Sequence, residues 1–170
     1  MQLTHETSNF KKKNFPLILV LDNVRSPANV GSLFRLADAF GIEKILICGT
    51  NVDLNSNRLK RTARATIDTV AFEVQDDCVT ACQNLSKRGY IVAALEISST
   101  SAPIETVDFQ KTKKLALVVG NERSGISQQV LEETNKQLHI NMFGDNSSMN
   151  VAQATAIALF EITKSLQPIP

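Results

Sequence analysis

A short continuous apolar run that ends in a polar turn, as in residues 17–22 (LILVLD), is the pattern of a strand buried on both faces of a parallel sheet, and this chain repeats it. The pattern returns at 44–48 (KILIC), 90–95 (YIVAAL) and 115–119 (LALVV), and more weakly at 70–74 (VAFEV) and 137–140 (QLHI). Helical patterns fill the intervals at 29–40, 77–88, 127–136 and 149–166. Gly41 and Gly89 stand where helix C-caps want a left-handed residue, and Ser127 where an N-cap belongs. This alternation predicts an α/β fold, a mostly parallel sheet flanked by helices and joined by right-handed crossovers. Residues 49–66 depart from it as a polar excursion of weak period that contains a basic turn.

The 170 residues, 43% of them hydrophobic, suffice for one ordinary core, so the expected organisation is a polar extension over 1–14 and a single domain over 15–170. With Lys+Arg 18 against Asp+Glu 17 the formal charge is +1, too small to capture a polyanion globally, so any nucleic-acid site must be a local patch. Cys48, Cys78 and Cys82 are odd in number, without paired spacing or a nearby histidine, and read as reduced buried thiols. The longest apolar runs fall far short of the roughly 18 residues of a membrane helix. The segment 1–14, with its Lys11-Lys12-Lys13 run, lacks the apolar stretch of a signal peptide, so a cytoplasmic location is expected.

In open α/β sheets ligands collect at the carboxyl ends of strands. Three polar, turn-forming segments follow strands here, at 23–29, 120–125 and 141–150. None carries the G-x-G-x-x-G of a dinucleotide site. Gly120 and Gly125 have P-loop spacing, but Ile126-Ser127 stands where a lysine must reach the phosphates. No G-x-S-x-G elbow accompanies the two histidines, His5 in the terminus and His139 in a predicted strand, where it reads as half-buried. No metal-binding motif occurs. A site in these turns would work with amides, hydroxyls, one acid and arginines.

Taken together, LDNVRSPANVGSLFRLADAFGIEKI (21–45), LALVVGNERSGIS (115–127) and LHINMFGDNSSMNVAQATAIALFE (138–161) resemble the three motifs of the SpoU/TrmH branch of the SPOUT methyltransferases, in order and spacing as well as content. The resemblance spans residues 17–166. It implies an RNA ribose 2′-O-methyltransferase that uses S-adenosylmethionine, acts on tRNA or rRNA as a homodimer with shared sites, and threads its C-terminal part as a trefoil knot, an exception to the rule that chains avoid knots. A catalytically weak or inactive RNA-binding member of the same fold is the alternative. The cofactor would be held by Leu95, Gly120, Ile140, Met142, Ser148 and Met149. The catalytic residues would be Arg35, Asn29, Glu122, Ser148 and Asn150. Asn141 stands where the family usually has proline, which alters backbone stiffness beside the cofactor.

Each of these residues also has a plainer reading. Arg35 is placed to pair with Asp38 on a helix surface. Asn29, Ser148 and Asn150 can each cap a helix, and Glu122 can be a solvated turn acid or the partner of an arginine or cap. As a catalytic group, Arg35 suits stabilisation of a developing alkoxide and a neighbouring phosphate better than proton abstraction, because a guanidinium stays protonated. The cluster Arg58, Lys60, Arg61 and Arg64 reads either as an RNA-binding surface or as a solvated charged turn. With no Trp and one Tyr, the chain is a poor stacking platform, so recognition of RNA shape and backbone is expected. The apolar face of 149–166 suits core packing or a dimer contact.

Overall fold

A computed structural model describes residues 11–49 and 52–170. The first ten residues of the expected extension, His5 among them, and two residues of the polar excursion, Thr50 and Asn51, lie outside the described residues. The predicted apolar runs form strands β1 (Phe15–Asp22), β2 (Ile42–Cys48), β4 (Ile91–Leu95), β6 (Leu115–Val119) and β7 (Lys136–His139). β3 (Phe72–Gln75) begins two residues later than its pattern suggested. The two-residue strand β5 (Ala102–Pro103) and the 3-10 turn Ile104–Thr106 had no distinct pattern.

All pairings are parallel, in the order β3-β2-β1-β6-β4-β7-β5. Period-two alternation along β1 divides its side chains between two layers. Leu17, Leu19 and Leu21 enter one core, and Ile18 and Val20 the other. The first core is closed by Leu33 and Phe34 of α1 (Pro27–Ala39), Leu59 of α2 (Asn57–Ala63), and Ala158, Leu159 and Ile162 of α6 (Val151–Ser165). The second is closed by Ala81, Cys82 and Leu85 of α4 (Cys78–Lys87) and Val130 of α5 (Gln128–Glu132). The three cysteines are free, buried thiols. Contacts with Cys48 and Cys82, together with burial, push the Cys78 thiol well up from its ordinary value.

Gly41 and Gly89 follow α1 and α4 with φ of 58° and 83°, as their sequence positions required. The excursion differs from expectation. Residues 49–66 contain α2 rather than a basic turn, followed by the short helix α3 (Thr66–Thr69). α2 packs on α1 at Gly31, where an added Cβ would strike Thr62 Oγ1 and come within 2.5 Å of the Leu59 carbonyl. The helix expected over 127–136 is only α5, because Lys136 already pairs in β7, and Ser127 makes no side-chain cap bond. No helix among the described residues is long and apolar enough to cross a membrane.

Candidate active site

The turns after β6 and β7 and the start of α1 meet beyond the carboxyl end of the sheet, around a cavity of about 630 Å³. That volume lies in the range of small-molecule sites. Asn29, Leu95, Gly120, Glu122, Ile140, Met142, Ser148, Met149 and Asn150 all line it.

A chain of hydrogen bonds joins the three turns. Ser26 caps α1 by accepting from Asn29 N at 3.4 Å. Glu122 Oε1 accepts from Ser26 N and from Asn29 Nδ2, each at 2.9 Å, while its Oε2 accepts from Arg25 N at 3.2 Å. Asn29 Oδ1 accepts from Asn150 Nδ2 at 2.9 Å. Asn150 Oδ1 in turn accepts from Ala152 N and Gln153 N, capping α6. Asn29 is therefore a bridge inside its helix and not the cap. Asn150 is both cap and bridge, and Ser148 caps nothing. Glu122 pairs with the start of α1 and with no arginine side chain.

A carboxylate at a helix N-terminus meets unpaired N–H groups and a favourable dipole. Partial burial works against the charged form of Glu122, but the donors from Asn29, Ser26 and Arg25 outweigh it and hold the carboxyl below its ordinary value.

The turn after β6 is fixed from several sides. Asn121 Oδ1 accepts from Arg123 N and Ser124 N, and its Nδ2 donates to the Asn23 carbonyl at 2.8 Å. Asp22, only 7% exposed, accepts from Ser127 N at 2.8 Å. Any Cβ on Gly120 would collide with the Gly125 carbonyl carbon and Ile126 N, so the turn folds flat against the strand end. Gly125 has φ of 67°, a left-handed conformation that disfavours a side chain. After β7, Asn141 Nδ2 donates to Glu105 Oε1 at 2.7 Å, an anchor that a proline could not make.

Arg35 lies apart from this cluster. It is exposed on α1 and does not line the cavity. Six residues beyond Asn29 is a rotation of about 240° around a helix, so the two side chains leave on different faces. The ion pairs among the described residues, Lys44–Glu73 and Lys164–Glu161, do not include Arg35, and Asp38 is not its partner. Arg58, Lys60 and Arg61 are exposed on α2, and Arg64 is its C-cap.

Sequence reasoning missed Glu96, Ile97, Asn121 and His139 as cavity residues. Glu96 carried a usable signal, an acid directly after an apolar strand. His139 is half-buried as expected, yet it also lines the cavity. Ser101 Oγ lies 2.9 Å from both the Ser98 carbonyl and His139 Nδ1, which holds the imidazole in place at the cavity wall.

A parallel α/β sheet whose post-strand turns are tied together around one cavity defines a ligand-using α/β domain of the kind that binds at strand carboxyl ends. The chain belongs to the SpoU rRNA methylase family, whose model matches residues 16–160. It is 30% identical over 154 residues to a tRNA (guanosine(18)-2′-O)-methyltransferase of Aquifex aeolicus, covering 89% of this chain and 70% of that one. It superposes with a TM-score of 0.82 and 27% identity on an AdoMet-bound rRNA methyltransferase from Sinorhizobium meliloti, over 92% of this chain and 58% of the other. A structure solved for 2-OH methylation of C/U34 on tRNA matches at TM-score 0.76 and 26% identity, covering 88% of this chain and 95% of that one. Against the curated relatives compared, the chain spans between 55% and 70% of their length.

Proposed function

We propose that the chain transfers the methyl group of S-adenosylmethionine to a ribose 2′-hydroxyl of tRNA or rRNA. The observation that carries this reading is the cavity itself, built from the turns after β6 and β7 and bonded to α1 through Glu122, Asn29 and Asn150. The residues present fit the cofactor. The turn at Gly120 and Gly125 lies flat against the strand end, leaving the cavity open above it, and Leu95, Ile140, Met142 and Met149 offer apolar walls for a purine. When bound, the cofactor supplies the electrophilic methyl group.

The protein's part is positioning and charge stabilisation, since a ribose hydroxyl is a weak nucleophile at neutral pH. Arg35 stabilises the alkoxide as it develops and clamps a neighbouring phosphate, while the hydroxyl proton leaves to a phosphate oxygen or water. Asn29, fixed from both sides by Glu122 and Asn150, orients the α1 terminus beside the ribose. Ser148 holds the cofactor's polar end.

Arg35 faces away from its own chain's cavity, and this supports a homodimer in which it completes the partner's site. The apolar face of α6, where Ile157 and Phe160 are exposed, belongs to that contact. The back-and-forth order of β5, β6 and β7 suits threading of the C-terminal part as a trefoil knot. Arg58, Lys60, Arg61 and Arg64 form the RNA-docking face, with Lys11-Lys12-Lys13 as the next candidate, and the enzyme works in the cytoplasm. Asn29, Arg35, Glu122, Ser148 and Asn150 are all present, which disfavours an inactive member.

Calorimetry with S-adenosylmethionine and its demethylated product tests the reading. Binding of either is expected, with thermal stabilisation. Absence of heat and of stabilisation at millimolar concentration would overturn it.

A further inference from the structure

Glu96 stands directly after β4, in the cavity wall between Leu95 and Ile97. Its Oε2 accepts from Ile126 N and its Oε1 from Ile97 N, each at 3.0 Å. An ionised carboxylate offers about four lone-pair positions, so two remain open, one on each oxygen. The carboxylate lies over Gly125, where an added Cβ would collide with Oε2. The glycine thus makes room for the acid, and the two backbone donors fix its plane. The effort spent on holding one carboxylate rigid at a cavity wall exceeds what a turn requires, because Asn121 and Asp22 already anchor the same turn.

We infer that Glu96 is a binding residue that accepts hydrogen bonds from both hydroxyls of the cofactor's ribose. The inference rests on the cavity being the cofactor site. Across the sheet the order is β1, β6, β4, β7. The reacting end of the cofactor belongs beside Asn29, at the β1 side, and the adenine beside the apolar Leu95 and Ile140, at the β4 and β7 side. The ribose, which links these two parts, then falls over the end of β6 and β4, where Glu96 is. A cis-diol presents two donors side by side, the complement of one lone pair on each carboxylate oxygen. The amino-acid end of the cofactor would instead meet Glu122, Arg123 and Ser148, at the other end of the cavity.

The test compares 5′-methylthioadenosine with its 2′,3′-dideoxy counterpart, and both with S-adenosylhomocysteine, by calorimetry on the wild-type protein and on Glu96→Gln. Wild type is expected to prefer the diol by about tenfold or more, the size of a hydrogen bond to a charged group. Glu96→Gln is expected to lose most of that preference, while the ratio of S-adenosylhomocysteine to methylthioadenosine affinity stays as in wild type. A role confined to holding the turn would weaken all three ligands alike and leave the preference for the diol unchanged, overturning the inference. So would selective loss of S-adenosylhomocysteine, which would assign the carboxylate to the cofactor's ammonium group. Should Glu96→Gln fail to fold, equal binding of diol and dideoxy ligands by the wild type overturns it alone. A wild type that binds S-adenosylhomocysteine but shows no preference for the diol contradicts only the Glu96 assignment. One that binds none of the three overturns the cofactor reading and the assignment with it.

Discussion

Asn150 does two jobs with one amide: Oδ1 caps α6, and Nδ2 donates to Asn29. Substitution can separate them. Asn150→Ala loses the cap and is expected to cost about 1 kcal/mol in denaturant unfolding. Asn150→Asp keeps a capping oxygen but cannot donate to Asn29, so it is expected to retain most of the stability while losing turnover. A stable Asn150→Asp enzyme with full activity would show that the bridge has no catalytic part. Glu122 gives a pH signature. Its carboxyl is held below the ordinary value of 4.5 in the folded protein. The stability it adds is therefore fully present above that value and is lost as pH falls through the lower folded value. The difference in melting temperature between wild type and Glu122→Gln is expected to be constant near neutrality and to shrink on acidification below about pH 4.5. A difference that grows on acidification would contradict the proposed bonding of Glu122.

Among elements, α2 shows where local pattern misled. Its seven residues carry four polar or charged exposed positions, and only Leu59 and Ala63 are buried, too few for a helical period to stand out. What fixes it is tertiary, the close approach to α1 at Gly31. The long apolar strands were legible because burial on both faces leaves no polar alternation to confuse. β5, two residues long, had no such signal, and α5 was overestimated because nothing local marks where Lys136 begins to pair. In the site, the turns were legible as post-strand segments. The partners were not, since Glu122 meets Asn29 across 93 residues of sequence and Asn150 meets Asn29 across 121. Because α2 rests on α1, RNA docked on α2 also lies near the helix that carries Arg35. Changing Arg58, Lys60, Arg61 and Arg64 together to Ala is expected to weaken RNA binding, leave cofactor affinity intact, and lower the salt-dependence slope by about 0.7 to 0.9 per lost phosphate contact. Unchanged affinity and slope would make the cluster a solvated surface.

For the whole molecule, one chain's sheet carries the cavity-lining groups while Arg35, in the proposed role, points out of that chain's cavity. The proposed symmetric dimer would bring Arg35 to the partner's cavity, and sedimentation is expected to give about twice 18.6 kDa. A monomer that methylates RNA would rule out the shared site. The most direct measurement of the proposed activity is transfer of labelled methyl from S-adenosylmethionine to RNA taken from cells lacking this protein, followed by mass spectrometry of the nucleosides. Wild type is expected to produce a 2′-O-methylated nucleoside, and Arg35→Ala to bind the same RNA but transfer the methyl group about 10²-fold more slowly or worse. Label on a base, or no transfer by protein that binds both cofactor and RNA, would contradict the proposal.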